Sequence, residues 1–198
     1  MELKQAMKNR RTFYSITGKS PIANEELKSL IDTAVLHVPS AFNSQSARVV
    51  LLLNEHHVRF WDIVKETLKA ILDPEGFEGT KSKIENCFQA GYGTVLFFED
   101  QAVVKGLQDA FALYADNFPV WSNQASAMHQ YAVWLLLEEA GFGASLQHYN
   151  PLIDSAVAKE WNLSSDWKLL AQMPFGVPGA QPGEKEFQPL DSRRLVFE

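Results

Sequence analysis

The sequence predicts an α+β sandwich, on three observations. Segments with apolar residues at helical spacing alternate with short runs rich in Val, Leu and Phe. Those runs are apolar at consecutive positions, as in strands covered on both faces. One long segment, Asn123 to Ala140, lacks Pro and Gly and is the strongest helix of the chain. Helices flanking a few strands make a layered α+β fold, and 198 residues suit one domain over 1–198.

Leu3, Ala6 and Met7 share one face of a short helix within Met1 to Arg10. Asn24 suits the N-cap of a second helix, in which Leu27, Leu30, Ile31, Ala34 and Val35 recur and which Pro39 helps to stop. Ala47 to Leu53 reads as a buried strand. Glu55 to Leu72 reads as a helix with Phe60, Ile63, Val64, Leu68 and Ile71 inward, and Pro74, Gly76 and Gly79 mark a loop. Gly93 to Phe98 is a second buried strand, closed by Glu99 and Asp100, and Val103 to Tyr114 is helical.

In the 123–140 helix, apolar residues wrap most of the circumference, and Gly141 supplies the stop. A helix apolar nearly all round is buried on several sides, which in a chain this short suggests a subunit interface as well as a core. Gly143 to Gln147 is a short strand, Asp154 to Trp161 a helix, and Lys168 to Met173 a strand ended by Pro174 and Gly176. From Pro178 the chain is rich in Pro, Gly and charge and turns apolar again at Leu195 to Phe197, the pattern of an extended tail that docks.

The composition narrows the functional classes. With 46% hydrophobic and 21% charged residues the chain can bury a sizeable core. Thirteen Phe and five Trp suggest a large aromatic core or a site for a flat, apolar ligand. A formal charge of −6 argues against nucleic acid as a partner. The lone Cys87 excludes an intrachain disulfide and fits a reducing compartment, with a buried structural thiol as its role. No apolar run approaches the roughly 20 residues of a membrane helix, and the start lacks a signal-peptide core, so a cytoplasmic protein without membrane contact is expected.

Several familiar motifs are missing. Gly91-Tyr92-Gly93 and Gly141-Phe142-Gly143 both lack the third glycine of a dinucleotide fingerprint and read as turns. His37, His56, His57, His129 and His148 make no metal spacing, so no metal is expected; His56 and His57 read as solvated, His129 as interior. No GxSxG elbow is present.

Three clusters carry more. Arg10-Arg11-Thr12 offers two guanidinium groups and a hydroxyl, the donors that grip a phosphate, although a basic helix end has the same look. Arg193-Arg194 would complete a cationic pocket if the termini meet. Pro39 to Ser46 joins a helix to a strand with Ser40, Phe42, Asn43 and Gln45; these are ordinary turn residues, yet they also suit the edge of a heteroaromatic ring. Gln147-His148-Tyr149-Asn150 follows a strand, a common place for a ligand.

Together these segments resemble the nitroreductase family. Its Arg-Arg-Ser/Thr opening matches Arg10-Arg11-Thr12. Its Pro-Ser-x-x-Asn-x-Gln motif matches Pro39-Ser40-Ala41-Phe42-Asn43-Ser44-Gln45, and its C-terminal basic residue matches Arg193 or Arg194. Gly91 to Asp100, Leu146 to Pro151 and Lys168 to Gly176 resemble blocks of the short branch related to the yeast fatty-acid-repression and copper-induced nitroreductases. The larger branches carry Pro-Trp where this chain has Ser46-Ala47.

The resemblance implies a nitroreductase-like sandwich with a small, mostly antiparallel central sheet and a homodimer with FMN between the subunits. The C-terminal arm would dock on the partner. Arg10, Arg11 and Thr12, helped by Arg193 or Arg194, would bind the FMN phosphate. Ser40, Asn43 and Gln45 would reach the flavin from the other subunit. Gln147, His148 and Tyr149 would lie by its reactive N5, where a backbone N–H of the turn would act. NADH or NADPH would give hydride to the flavin, and a nitroaromatic or quinone would then take two electrons, a ping-pong sequence with no side-chain nucleophile. Phe42, Phe118 and Trp121 are candidates for an apolar wall over the ring, packing being their ordinary role. A flavin-binding module with a regulatory or storage role and little turnover would keep the same motifs. A helical interaction protein without cofactor would not need them.

Overall fold

A computed structural model describes residues 2–198; Met1, the start of the first expected helix, lies outside the described residues. In chain order the elements are α1 (Leu3–Asn9), β1 (Ile16–Thr17), α2 (Asn24–His37), β2 (Ala47–Leu53), α3 (Asn54–Lys69) and α4 (Pro74–Ile84), which runs into a π-helical turn at Glu85–Gln89. Then follow β3 (Gly93–Asp100), α5 (Gln101–Ala110), α6 (Phe118–Glu139), β4 (Gly143–Ala144), α7 (Asp154–Glu160) and β5 (Trp167–Pro178). The strands form one sheet of order β1-β5-β3-β2, with β4 also on β5, and all four strand pairings are antiparallel.

The consecutive apolar run of β3 has a simple cause. Successive side chains of a strand point to opposite faces, and both faces of this sheet carry a core. Leu96 and Phe98 join Phe60, Trp61, Ile84, Phe88 and Leu169 beneath α3, α4 and α7. Val95 and Phe97 join Leu27, Ile31, Val133, Leu137 and Phe175 beneath α2 and α6. Each fully buried aliphatic or aromatic side chain contributes on the order of 1.5–3 kcal/mol, so these two layers hold the sandwich together.

Several elements differ from the sequence expectation. Pro74, Gly76 and Gly79 lie in a helix, α4, and not in a loop: Pro74 sits at its start, where a missing N–H costs nothing, and Asp73 caps it by accepting from the Gly76 N–H at 3.0 Å. Asn24 is the first residue of α2, not its cap, because its Oδ1 accepts the Tyr92 hydroxyl at 2.6 Å. Ile71 lies past the end of α3 and is exposed. Strand β2 ends the sheet, so apart from Leu52 its residues are only half-buried. Strand β5 continues through Pro174, which accepts from the Ser145 N–H at 3.2 Å, and through Gly176, where a Cβ would meet the Thr17 carbonyl oxygen at 2.2 Å. That glycine lets β1 close on β5 and does not end the strand.

Helix α6 begins five residues earlier than expected. Its inward side carries Ala125, His129, Val133 and Leu137. Val120, Met128 and Tyr131 are exposed on it. Beyond Pro178 the tail is exposed apart from the half-buried Pro182, with Leu195 at 77% and Phe197 at 90%. No described helix is long and apolar enough to cross a membrane.

Candidate functional site

The basic segment follows α1. Arg10 lays its guanidinium over the Trp134 ring of α6, 4.4 Å from the centroid, and its buried Nε has no hydrogen-bond partner. Leaving a buried donor open costs about 1–3 kcal/mol. Arg11 donates from Nη2 to the Gly183 carbonyl at 2.5 Å and thereby holds the start of the tail. Thr12 is bridged to Ala144, and the Phe13 N–H donates to the Ala144 carbonyl at 2.9 Å. A cavity of about 460 Å³ opens here, lined by Lys8, Asn9, Arg11, Glu138 and Gln181 among others. Arg193 and Arg194 are exposed and bond through their backbone N–H groups to the Leu190 carbonyl; among the described residues no hydrogen bond or ion pair joins them to Arg10–Thr12.

The Ser40–Gln45 loop is strained. Phe42 (φ 57°), Asn43 (φ 50°) and Gln45 (φ 48°) all occupy the left-handed region, where a non-glycine residue costs of order 1–3 kcal/mol. Hydrogen bonds hold them there: Gln45 N–H donates to Ser40 Oγ at 3.0 Å, and Arg48 donates to the Gln45 carbonyl at 2.8 Å while pairing with Asp100 at 2.9 Å. The strain lifts Phe42 out of the fold, half exposed, onto an aromatic cluster. It stacks on Trp121 at 6.0 Å with planes 19° apart and meets Phe118 edge-on at 5.2 Å. The three expected wall residues therefore stand together. Phe118 is 2% exposed and backs the wall, leaving Phe42 and Trp121 to face a cleft of about 380 Å³ with Ala41, Gln124 and Met128.

The third segment is a turn fixed from behind. Gln147 and Gln172 exchange backbone hydrogen bonds at 2.7 and 2.9 Å. The buried Gln172 amide accepts the Tyr149 N–H at 2.8 Å and donates to Asn150 Oδ1 at 3.0 Å. The Tyr149 ring turns inward, 5.9 Å from Trp61, and burial pushes its hydroxyl up to about 12, with Tyr14 and Cys87 adding to the effect. His148 is exposed. Among the described residues the backbone N–H groups of His148 and Asn150 have no hydrogen-bond partner, while the Gln147 side chain donates to Ser145 Oγ at 3.0 Å.

A family model described as the nitroreductase family matches residues 7–177. The chain belongs to the nitroreductase family. Two relatives from Saccharomyces cerevisiae agree: HBN1, 37% identical over 180 residues that cover 90% of this chain and 89% of that one, and the nitroreductase FRM2, 33% identical over 184 residues that cover 92% and 91%. Nitroreductase CinD from Lactococcus lactis, solved with nicotinic acid, is 47% identical over the full length of both chains with a TM-score of 0.92. The nitroreductase fold expected from the sequence is therefore the observed one. Nitroreductases are oxidoreductases that act on small molecules and generally use a flavin.

The residues of this nitroreductase fit such a group. A flavin nucleotide needs cationic donors for its phosphate and a flat apolar face for its ring. The unpartnered Arg10 Nε supplies the first, and the Phe42–Trp121 face supplies the second. The sequence reading missed Gln172, a polar residue inside an apolar strand, and Phe111 and Tyr114, whose rings lie 5.0 and 6.0 Å from Phe42. Among the described residues no His, Cys, Asp and Glu cluster suits a metal. Cys87 is half-buried and packs against the α3 core.

Two buried titratable groups also escaped it. His57 is buried, not solvated. Its Nε2 faces the Gln89 carbonyl at 3.1 Å, and its Nδ1 accepts the Thr94 hydroxyl at 2.8 Å. Burial lowers it to about 4, against the pull of the Gln89 hydrogen bond, so the neutral ring is kept. Glu99 is fully buried, with Oε2 accepting the Ser46 hydroxyl at 2.5 Å and Oε1 unpartnered. Burial raises it to about 7; the Ser46 hydrogen bond and Arg48 pull down, and Asp100 pushes up.

The signs of these shifts oppose each other. Unfolded Glu99 releases its proton near 4.5 and folded Glu99 near 7, so its contribution is intact below 4.5 and lost as pH rises to 7, about 3 kcal/mol in all. Unfolded His57 takes a proton near 6.5 and the folded ring only near 4, so stability falls as pH drops through that window. In urea titrations from pH 4 to 8, the stability of wild type minus that of Glu99→Gln is expected to fall by about 3 kcal/mol between pH 4.5 and 7. Parallel curves would show that Glu99 does not titrate in this range.

Proposed function

We propose that this chain is an FMN-dependent NAD(P)H oxidoreductase that reduces nitroaromatics or quinones by ping-pong turnover, as a cytoplasmic homodimer of one FMN-binding domain over 1–198. One observation carries the proposal. The Ser40–Gln45 loop rests on the start of α6 through Phe42 and Trp121, whereas Arg10 lies over Trp134. These two tryptophans are thirteen residues apart, about 20 Å along the helix. The phosphate donors and the ring-reading loop stand far apart in one chain, and a second copy docked on the exposed apolar side of α6 would bring its loop to the first copy's arginines.

In this arrangement Arg10, Arg11 and Thr12 hold the phosphate, with Arg193 or Arg194 from a tail that docks on the partner. Ser40, Asn43 and Gln45 of the partner read the ring edge, and the His148 and Asn150 N–H groups donate to the ring from the other side. Phe42 and Trp121 exclude water and give a flat acceptor its seat. When bound, FMN supplies the carrier that takes two electrons from a nicotinamide and passes them on. CinD, the Lactococcus lactis relative, was solved with nicotinic acid, with chloramphenicol and with 4-nitrophenol. Nicotinic acid shares the nicotinamide ring, and the other two are nitroaromatics, so these are the donor and acceptor classes proposed for this chain.

The test is an absorbance spectrum of the purified protein before and after anaerobic NADH or NADPH. Yellow flavin bands that bleach are expected. Bands that persist would indicate a flavin-binding module without turnover, and a colourless protein that cannot be reconstituted with FMN would end the proposal.

A further inference from the structure

The two-electron reduction of a nitro compound or quinone needs one proton more than a hydride brings: ArNO2 + NAD(P)H + H+ gives ArNO + H2O + NAD(P)+, and a quinone likewise takes one hydride and one proton. A cleft walled by Phe42, Trp121 and Met128 offers no acid of its own. A buried acid, Glu99, is hydrogen-bonded to Ser46, which lines a smaller cavity sharing a wall with the cleft.

Glu99 Oε2 is 2.5 Å from Ser46 Oγ, and Ser46 Oγ is 3.5 Å from Ser44 Oγ. Both hydroxyls line a cavity of about 10 Å³ that also touches Ala41, Trp121 and Ser122, about the room one water needs. Ala41 and Trp121 line the aromatic cleft as well, so this small cavity backs onto its wall. From the carboxyl a row of groups that can both give and accept a proton runs through Ser46 to Ser44 and into this cavity, which shares its Ala41 and Trp121 wall with the cleft. Among the described residues the Glu99 side chain has no other hydrogen-bond partner, and Oε1 has none.

We propose that Glu99 is the proton reservoir for acceptor reduction, delivering one proton per turnover through the Ser46 and Ser44 hydroxyls to the Phe42–Trp121 cleft. The inference rests on the oxidoreductase function proposed above. In the protonated acid the Ser46 hydroxyl turns towards Ser44 and Glu99 Oε2–H donates to Ser46 Oγ; the proton then leaves Oε2 for Ser46 Oγ while the Ser46 proton moves on to Ser44, and no electrons move in this step. Glu99 is left as a carboxylate facing Ser46 and recovers its proton from solvent along the same row. The charges around it are few. Arg48 of β2 pairs with Asp100 beside Glu99 on β3, and Lys168 of β5, opposite Glu99 in register, is exposed. From α5 and α6 the cavity receives only Val104, Leu107, Phe118, Trp121 and Ser122, none charged. The position near neutrality that burial gives Glu99 keeps a proton available at cellular pH.

The experiment compares wild type, Glu99→Gln and Ser46→Ala as FMN-loaded enzymes with two acceptors. 4-Nitrophenol needs protons, and ferricyanide takes electrons alone. Both variants are expected to lower kcat for 4-nitrophenol at least about tenfold, with the inflection near pH 7 removed in Glu99→Gln, while the ferricyanide rate stays within about twofold. Equal slowing with both acceptors, or no slowing with 4-nitrophenol, overturns the relay. A second readout needs no turnover: infrared difference titration of FMN-free protein should show a protonated carboxyl band, absent from Glu99→Gln, that disappears with a midpoint near 7. If no such band titrates, the reservoir does not exist. If Glu99→Gln fails to fold, Ser46→Ala, which keeps the carboxyl, decides the kinetic arm. A wild type that oxidises no NAD(P)H sinks the oxidoreductase function itself, and the infrared band still decides whether Glu99 stores the proton.

Discussion

Met128→Asp or Tyr131→Asp, each placing a charge on the exposed apolar side of α6, is expected to convert the protein to a monomer that no longer retains FMN. Both residues are about 40% exposed in the single chain, so neither change opens a cavity in its core. Burying an unpaired carboxylate in a subunit interface costs several kcal/mol, and about 3 kcal/mol already weakens a dimer more than a hundredfold. Because the Ser40–Gln45 loop and Arg10 lie about 20 Å apart along α6, a monomer would offer FMN half a site. Light scattering would report the mass and the ratio of flavin to protein absorbance the occupancy. A monomer that still carries one FMN per chain would place the site within one subunit. A dimer with full occupancy would place the interface on another surface.

How much of this was legible in the sequence depends on whether the signal is local. Strand β3 and helices α2, α3 and α6 were visible because their apolar periodicity reports directly which faces are covered. Helix α4 was not, because Pro74 and Gly76 are breakers in a helix interior yet fit its first turn, and only the Asp73 cap separates the two cases. Strand β5 was cut short at Pro174 for the same reason: a proline is read as a stop until the neighbouring strands show that an acceptor suffices there. At the candidate site, the Arg10–Thr12, Ser40–Gln45 and Gln147–Asn150 segments stood out as contiguous motifs. Residues that act from behind did not. Glu99 closes an apolar strand and looks like the start of a surface turn, and its burial depends on Ser46, 53 positions away. His57 beside His56 looks solvated until Thr94 and Gln89 enclose it.

Gln172 is the strongest case of such a residue, and replacing it should cost more than truncating Gln147 of the turn it supports. Gln172→Leu keeps nearly the volume of a fully buried side chain but removes the acceptor for the Tyr149 N–H and the donor to Asn150 Oδ1. An orphaned backbone N–H and an orphaned amide oxygen together cost roughly 2–4 kcal/mol, a fall in Tm of roughly 5–15 °C for a chain of this size. Gln147→Ala, by contrast, loses one half-buried side-chain bond to Ser145 at 3.0 Å and should change stability by no more than about 1 kcal/mol. The functional consequence follows from the same geometry. With the Gln172 amide gone, no other hydrogen bond among the described residues joins the 149–150 segment to β5, and the His148 and Asn150 N–H groups lose their fixed direction. Stopped-flow reduction of bound FMN by NAD(P)H should therefore slow at least about tenfold, the scale set by losing preorganised donors, while FMN retention, which depends on the arginine segment, changes less. Wild-type reduction kinetics in Gln172→Leu would show that the turn's N–H groups do not act on the flavin, and an unchanged Tm would show that the Gln172 amide does not hold the turn.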